Sequence, residues 1–215
     1  MQLLSVNISK PKTVPYHGET LTTGIYKEPA AGRVALRQLN LDGDGQADLN
    51  AHGGFHKAVY AYPFEHYAFW RERLWRDDFA YGQFGENFTV TGLLEDDVSI
   101  GDVYRVGGAL VEVTQPRVPC FKLAHKIGEP TFVKQFMQAE RIGFYLRVVQ
   151  EGEVGAGDRI ERVEIGPQQM SVRRIFRLLY VDHSDLREIE RARDLEALSP
   201  GWRESFAELV EKALS

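Results

Sequence analysis

The chain has one cysteine, Cys120, in 215 residues, so it holds no internal disulfide framework, no zinc-type cysteine pair and no CxxC redox motif. It also lacks any apolar run near the roughly 20 residues needed to span a bilayer. The start, Met1 to Ile8, has neither the basic beginning nor the long apolar core of a secretion signal. A cytoplasmic location is therefore expected, where the thiol stays reduced. Basic excess is missing too: 26 Lys and Arg against 31 Asp and Glu give a net charge of −5. That balance argues against general nucleic-acid binding, which depends on basic surface. No glycine-rich strand-to-helix phosphate fingerprint is present, so a dinucleotide fold is not expected. Nor is there a flavin, haem or iron–sulfur motif.

What is present centres on Gln115-Pro116-Arg117-Val118-Pro119-Cys120-Phe121-Lys122. An alternating run, Ala109 to Thr114, reads as a strand leading into it. Proline fixes φ and has no N–H, so Pro116 and Pro119 predict a stiff, non-helical loop. Arg117 and Lys122 flank the thiol, and nearby positive charge favours a thiolate. Such a sulfur suits a nucleophile or a soft metal ligand; it equally suits a small buried hydrophobe.

Alternation also predicts strands at Leu3–Ile8, Thr20–Lys27, Val34–Leu39, Ala58–Tyr62, Phe88–Val90, Gly143–Val149 and Asp158–Val163. Val98–Val106 and Ala109–Thr114 form a hairpin across Gly107-Gly108. Lys10–Gly18, with two prolines, reads as loop. Helices are expected at Pro63–Asp78 and Pro130–Glu140. Many short strands with glycine turns predict a mainly β protein, a closed or nearly closed barrel. Composition shifts at Gly166-Pro167; beyond it Ser171–Tyr180, Ser184–Arg193 and Gly201–Leu214 read as helices. The expected organisation is a β-barrel domain over 1–165 and a three-helix extension over 166–215. Arg173, Arg174 and Arg177 are balanced by acids in the same segment and read as a solvated face.

Asp42–Asp48 superficially resembles a calcium loop but has Ala47 where a Gly is required and Gly53 where a bidentate Glu is required, so it reads as a polar turn. In His52-Gly53-Gly54-Phe55-His56-Lys57 the glycine pair opposes a helical His pair. It can instead bring backbone N–H groups to an anion beside Lys57, or be a simple turn. Glu86 and Asn87, at a loop-to-strand junction, read as turn residues or as hydrogen-bonding groups in a cleft.

The order His52-Gly53-Gly54…Lys57-Ala58-Val59-Tyr60, then Phe84-Gly85-Glu86-Asn87, Gly101-Asp102 and Gln115-Pro116-Arg117…Pro119-Cys120…Lys122 resembles the MOSC domain. More closely, it looks like the bacterial YiiM-like proteins, in which that domain carries a three-helix extension. The resemblance spans nearly the whole chain. It implies a β-barrel, binding of the molybdenum cofactor (Mo-molybdopterin), and reduction of N-hydroxylated compounds such as 6-hydroxylaminopurine, with electrons from a separate, flavin-containing reductase. It implies Cys120 as metal ligand and catalytic residue, with His52 and Asn87 beside it. Lys57, Arg117, Lys122, Glu86 and the Gly53 and Gly54 backbone are expected to hold the pterin and its phosphate. The same resemblance leaves open a sulfur carrier using a Cys120 persulfide, and a non-enzymatic binding module. The extension is expected to cover the site, recruit the reductase or form a homodimer.

Overall fold

The apolar start of the sequence becomes strand β1, Gln2–Ile8, where a register shift between Leu3 and Ser5 lets both Leu3 and Val6 reach the core. In this computed structural model, which describes residues 1–46 and 53–214, eleven further strands follow before the three C-terminal helices. They are β2 (Lys12–Tyr16), β3 (Glu19–Thr23), β4 (Glu28–Pro29), β5 (Val34–Leu36), β6 (Val59–Pro63), β7 (Phe88–Thr91), β8 (Val103–Val106), β9 (Ala109–Pro116), β10 (Phe144–Gln150), β11 (Gly152–Val154) and β12 (Ile160–Glu164). Helix α1 (Glu65–Leu74) crosses between β6 and β7, while α2 (Phe121–Ile127) and α3 (Phe132–Ala139) join β9 to β10.

Eight strands form one sheet in the order β12-β8-β9-β10-β6-β7-β1-β4. Its pairs are antiparallel except β6 with β7, which α1 connects as a parallel crossover. The expected mainly β class is observed; of the closed or nearly closed barrel expected, the closed form is absent. The free edge of β1 is shared between β4, at Asn7 and Ile8, and an isolated bridge from Gln2 to Arg159. Backbone bonds from Leu3 N to Asp158 O (2.9 Å) and Gly157 N to Leu3 O (2.8 Å) join the curled edges without a ladder.

Several sequence expectations shift. Lys10–Gly18 is not wholly loop: Lys12–Tyr16 pairs with β3 in a two-stranded ribbon, where Pro15 faces Thr20. Proline is tolerated there because such a ribbon is all edge. Pro63 ends β6 instead of opening α1. Helix α2 was hidden behind the proline loop, although Leu123, Ala124 and Ile127 give it a buried stripe.

Under α1 and α3 lies an aromatic layer. Trp70 stacks on Phe136 with centroids 5.4 Å apart, and its Nε1 donates to Tyr62 Oη at 2.7 Å. Phe84 and Phe132 complete the layer.

The last three helices are α4 (Val172–Tyr180), α5 (Leu186–Arg193) and α6 (Pro200–Leu214). Ser171 caps α4 by accepting from Arg174 N, and Asp185 caps α5 by accepting from Glu188 N. Ile175, Phe176, Trp202 and Phe206 belong to the same continuous core as the sheet. The three arginines are not simply solvated. Arg173 and Arg177 both donate to Glu140, at the end of α3, at 3.3 and 2.6 Å, and Arg174 pairs with Asp185 and Glu188. Val172 N donates to Val98 O and Ser199 N to Thr114 O, tying the bundle to the sheet.

Candidate active site

Strand β9 carries the site. Gln115 and Arg117 lie two residues apart, so their side chains leave the backbone on the same side, and β10 places Tyr145 opposite Gln115. Arg117 N donates to Gly143 O at 3.2 Å, which extends β9–β10 pairing past Pro116. Gly143 has φ 67°, and a Cβ there would lie 2.4 Å from Ala61 O, so only glycine lets the strands approach this closely. Its N–H donates to the buried Glu95 carboxylate at 2.8 Å, which also bonds His66 Nε2 at 2.7 Å. Beyond Pro119 the chain turns at Cys120, whose backbone is extended, and enters α2.

Cys120 is partly exposed and lies on the wall between two cavities. The first is lined by Lys27, Asp44, Asn87, Lys57, Arg117 and Lys122 together with Cys120. The second lies between the Phe55–Lys57 turn, the Val118–Cys120 loop and the bundle, reaching Tyr180 and Trp202. Lys57, Cys120 and Tyr145 are common to both.

Arg117 is the outstanding group. Its residue is 6% exposed, and Nη1 is buried with no hydrogen-bond partner. Its guanidinium lies 5.2 Å from the Tyr60 ring centroid and 5.5 Å from that of Phe136, so the aromatic layer holds it. Burial pushes the half-buried Tyr145 phenol above its ordinary pKa, and Arg117 opposes this, so Tyr145 remains a protonated donor beside Cys120.

On the same cavity, Lys27 and Asp44 form a buried ion pair whose side chains are 8% and 2% exposed. Burial pushes Lys27 below the usual lysine pKa, while Asp44 counteracts it. Asn87 Nδ2 donates to Asp44 Oδ2 at 2.9 Å, and Asn87 Oδ1 accepts from Tyr60 N at 3.1 Å. This amide therefore locks β6 to the Asp44 turn.

Of the residues named from sequence, Cys120, Lys57, Asn87, Arg117 and Lys122 meet at the first cavity. Gly53 lines the second. Gly54 lies elsewhere in purpose: its N–H donates to Gln46 Oε1 at 3.0 Å. Glu86 lines neither cavity. Its carboxylate is fully buried and accepts from Tyr67 Oη, Gly82 N, Phe84 N and Thr89 Oγ1, the work of a scaffold anchor. His52 lies outside the described residues. Sequence reading missed Lys27, Asp44 and Tyr145. The only local signal for Asp44 was its place in the acidic turn; its partner is 17 residues away.

A family model for the MOSC domain matches residues 48–161, and one for the YiiM-like 3-alpha helix domain matches residues 170–213. The chain belongs to the MOSC family, in its YiiM-like branch. It is 46% identical over 212 residues to the "Uncharacterized protein YflK" of Bacillus subtilis, covering 99% of this chain and 96% of that one. The crystal structure of YiiM from Geobacillus stearothermophilus is similar at a TM-score of 0.83 and 39% identity, covering 97% and 98% of the two chains. A protein of Gibberella moniliformis named "Reductase" is 34% identical over 180 residues; the match covers 82% of this chain and 32% of that one. Family membership thus extends over both the sheet and the helical extension. Among the described residues no group of three or more His, Cys, Asp or Glu side chains can hold a metal ion, and no helix is long and apolar enough to cross a membrane.

Proposed function

We propose that this chain is a molybdenum cofactor-binding oxidoreductase that reduces N-hydroxylated compounds, such as 6-hydroxylaminopurine, to amines. The overall reaction is R–NH–OH + 2 e⁻ + 2 H⁺ → R–NH₂ + H₂O, with the electrons supplied by a separate, flavin-containing reductase.

The observation that carries this reading is that Cys120 and Arg117 line the same cavity. A thiol on a cavity wall is a soft ligand, and without a cluster of protein ligands it suits a metal that arrives already held by sulfur. The unpartnered buried Arg117 Nη1 fits an anionic group entering from the cavity. When bound, the cofactor supplies two-electron, oxygen-atom-transfer chemistry; the protein supplies binding, orientation and electrostatics. Arg117, Lys57 and Lys122 hold the pterin phosphate by charge-assisted hydrogen bonds. Asn87, fixed by Asp44 and the Tyr60 backbone, keeps its part of the wall rigid. Tyr145 keeps its proton at Oη beside Cys120. Kinship with a protein named "Reductase" supports the reaction class.

The test is conversion of 6-hydroxylaminopurine to 6-aminopurine by the purified protein from a cofactor-producing host, with a chemical reductant. Wild type is expected to turn over, and Cys120→Ser to lose activity by at least about 10³-fold while remaining folded, the scale of removing a group acting on the reacting atoms. Equal activity in the two proteins would overturn the assignment.

A further inference from the structure

The second cavity has features that cofactor binding does not use. Gln115 is 4% exposed and lines this cavity, yet its Oε1 is buried without a hydrogen-bond partner. The neighbouring His56 Nδ1, on the same cavity, is likewise buried without one. Buried polar atoms left unpaired are costly, so their persistence in a cavity calls for a ligand partner. On the same cavity are Trp202 and Tyr180 of the helical extension, with ring centroids 5.8 Å apart and planes at 77°.

These groups share one support. Thr114 Oγ1 donates to His56 O at 2.6 Å, and Thr114 O accepts from Ser199 N at 3.2 Å, one residue before α6 begins. Strand β9 therefore sets Gln115, the His56 turn, the start of α6 with Trp202, and, five residues on from Gln115, Cys120. The wall and the thiol have a fixed relation.

Resting on the function proposed above, we infer that Gln115 and Trp202 are substrate-selecting residues. Gln115 Oε1 accepts a hydrogen bond from a substrate N–H other than the reacting nitrogen, and Trp202, with Tyr180 edge-on to it, borders the substrate's flat apolar surface. The helical extension thereby forms the selective half of the site. A flat ring bearing its own N–H is favoured over a flat ring without one. A site built to receive a donor rejects analogues lacking it, because its polar group is then left unpaired.

Binding of two reaction-product probes tests this without turnover. Isothermal titration calorimetry compares 6-aminopurine, which carries a ring N–H, with aniline, which has only its exocyclic amine. The proteins are wild type, Gln115→Met, Gln115→Glu and Trp202→Leu, each purified from a cofactor-producing host and verified as folded. Wild type is expected to prefer 6-aminopurine by roughly 10- to 100-fold, Gln115→Met to reduce that preference to within about threefold, and Gln115→Glu to restore part of it. Trp202→Leu is expected to weaken both probes by roughly three- to tenfold, leaving their ratio in place. A full preference retained in Gln115→Met, or no binding of either probe to wild type, overturns the inference. Absence of hydroxylamine reduction with this binding pattern intact overturns the functional reading alone; reduction with an unchanged ratio in Gln115→Met overturns the selection role alone.

Discussion

Replacing Arg117 by methionine is expected to separate stability from ligand retention. In the ligand-free protein the guanidinium is 6% exposed, has an unpartnered Nη1 and forms no ion pair with an acidic side chain among the described residues. Burying an ionised group of this kind costs several kcal/mol after relaxation. Its compensation is the Tyr60 and Phe136 rings at 5.2 and 5.5 Å, worth about 1–2 kcal/mol each, plus the Tyr145 hydroxyl. Methionine fills a comparable volume against the same rings without charge. Urea unfolding of cofactor-free protein should therefore show Arg117→Met gaining about 1–3 kcal/mol, or about 2–12 °C in Tm at this chain length. The same variant loses a charge-assisted hydrogen bond to the anion, worth about 1.5–3 kcal/mol, and should retain roughly 10- to 100-fold less cofactor at limiting supply. Arg117→Lys should also retain less, because an ammonium does not reproduce the planar fork or its stacking. Destabilisation of cofactor-free Arg117→Met by more than about 1 kcal/mol, with cofactor retention intact, would refute the reasoning.

Glu86→Leu leaves four buried donors unpaired, at about 1–3 kcal/mol each, a loss comparable with the whole stability of a domain; little folded protein should be recovered, and wild-type stability would contradict the anchor role. Glu86→Gln keeps an acceptor for the three Oε1 donors but sets an amide against Phe84 N–H, so about 1–3 kcal/mol should be lost in urea unfolding. Lys126, donating to Ile25 O and Gly82 O, is pushed down to about 8 by burial. Its folded pKa lies below its unfolded one, so the unfolded chain binds more protons between about pH 8 and 10.4, and stability from this group rises across that window. The stability difference between wild type and Lys126→Met, measured at pH 8 and 10, should move in favour of wild type; no movement would contradict the burial. Glu140→Ala breaks the contacts of Arg173 and Arg177 with the end of α3, and limited proteolysis should cut the extension faster, with about 0.5–2 kcal/mol lost in unfolding.

The parts of this fold that sequence revealed are those with local periodicity. The β8–β9 hairpin, the strand at Gly143–Val149 and all three terminal helices follow from alternation, glycine pairs and caps. Long-range pairing was not readable. Lys12–Tyr16 carries two strand-unfriendly features, Pro15 and a neighbouring Pro11, and is a strand only because β3 pairs with it. Barrel closure depends on how the ends of β1 and the 157–160 segment meet, which no local pattern encodes. At the site, cysteine between two prolines and two cations was legible because the residue types themselves are unusual there. Asp44 and Lys27 were not, since a buried ion pair across 17 residues looks, in sequence, like two surface charges. Glu86 was drawn toward the cofactor by adjacency to Asn87, but strand alternation sends neighbours to opposite sides, and Glu86 turns inward to four donors.

The most direct test of the central claim is the molybdenum and pterin content of protein made in a host that synthesises the cofactor, comparing wild type with Cys120→Ser. Near-stoichiometric molybdenum and pterin in wild type, with molybdenum lost in the folded variant, is the expected result. Wild-type protein that is folded, made under verified cofactor supply and free of both molybdenum and pterin would contradict it.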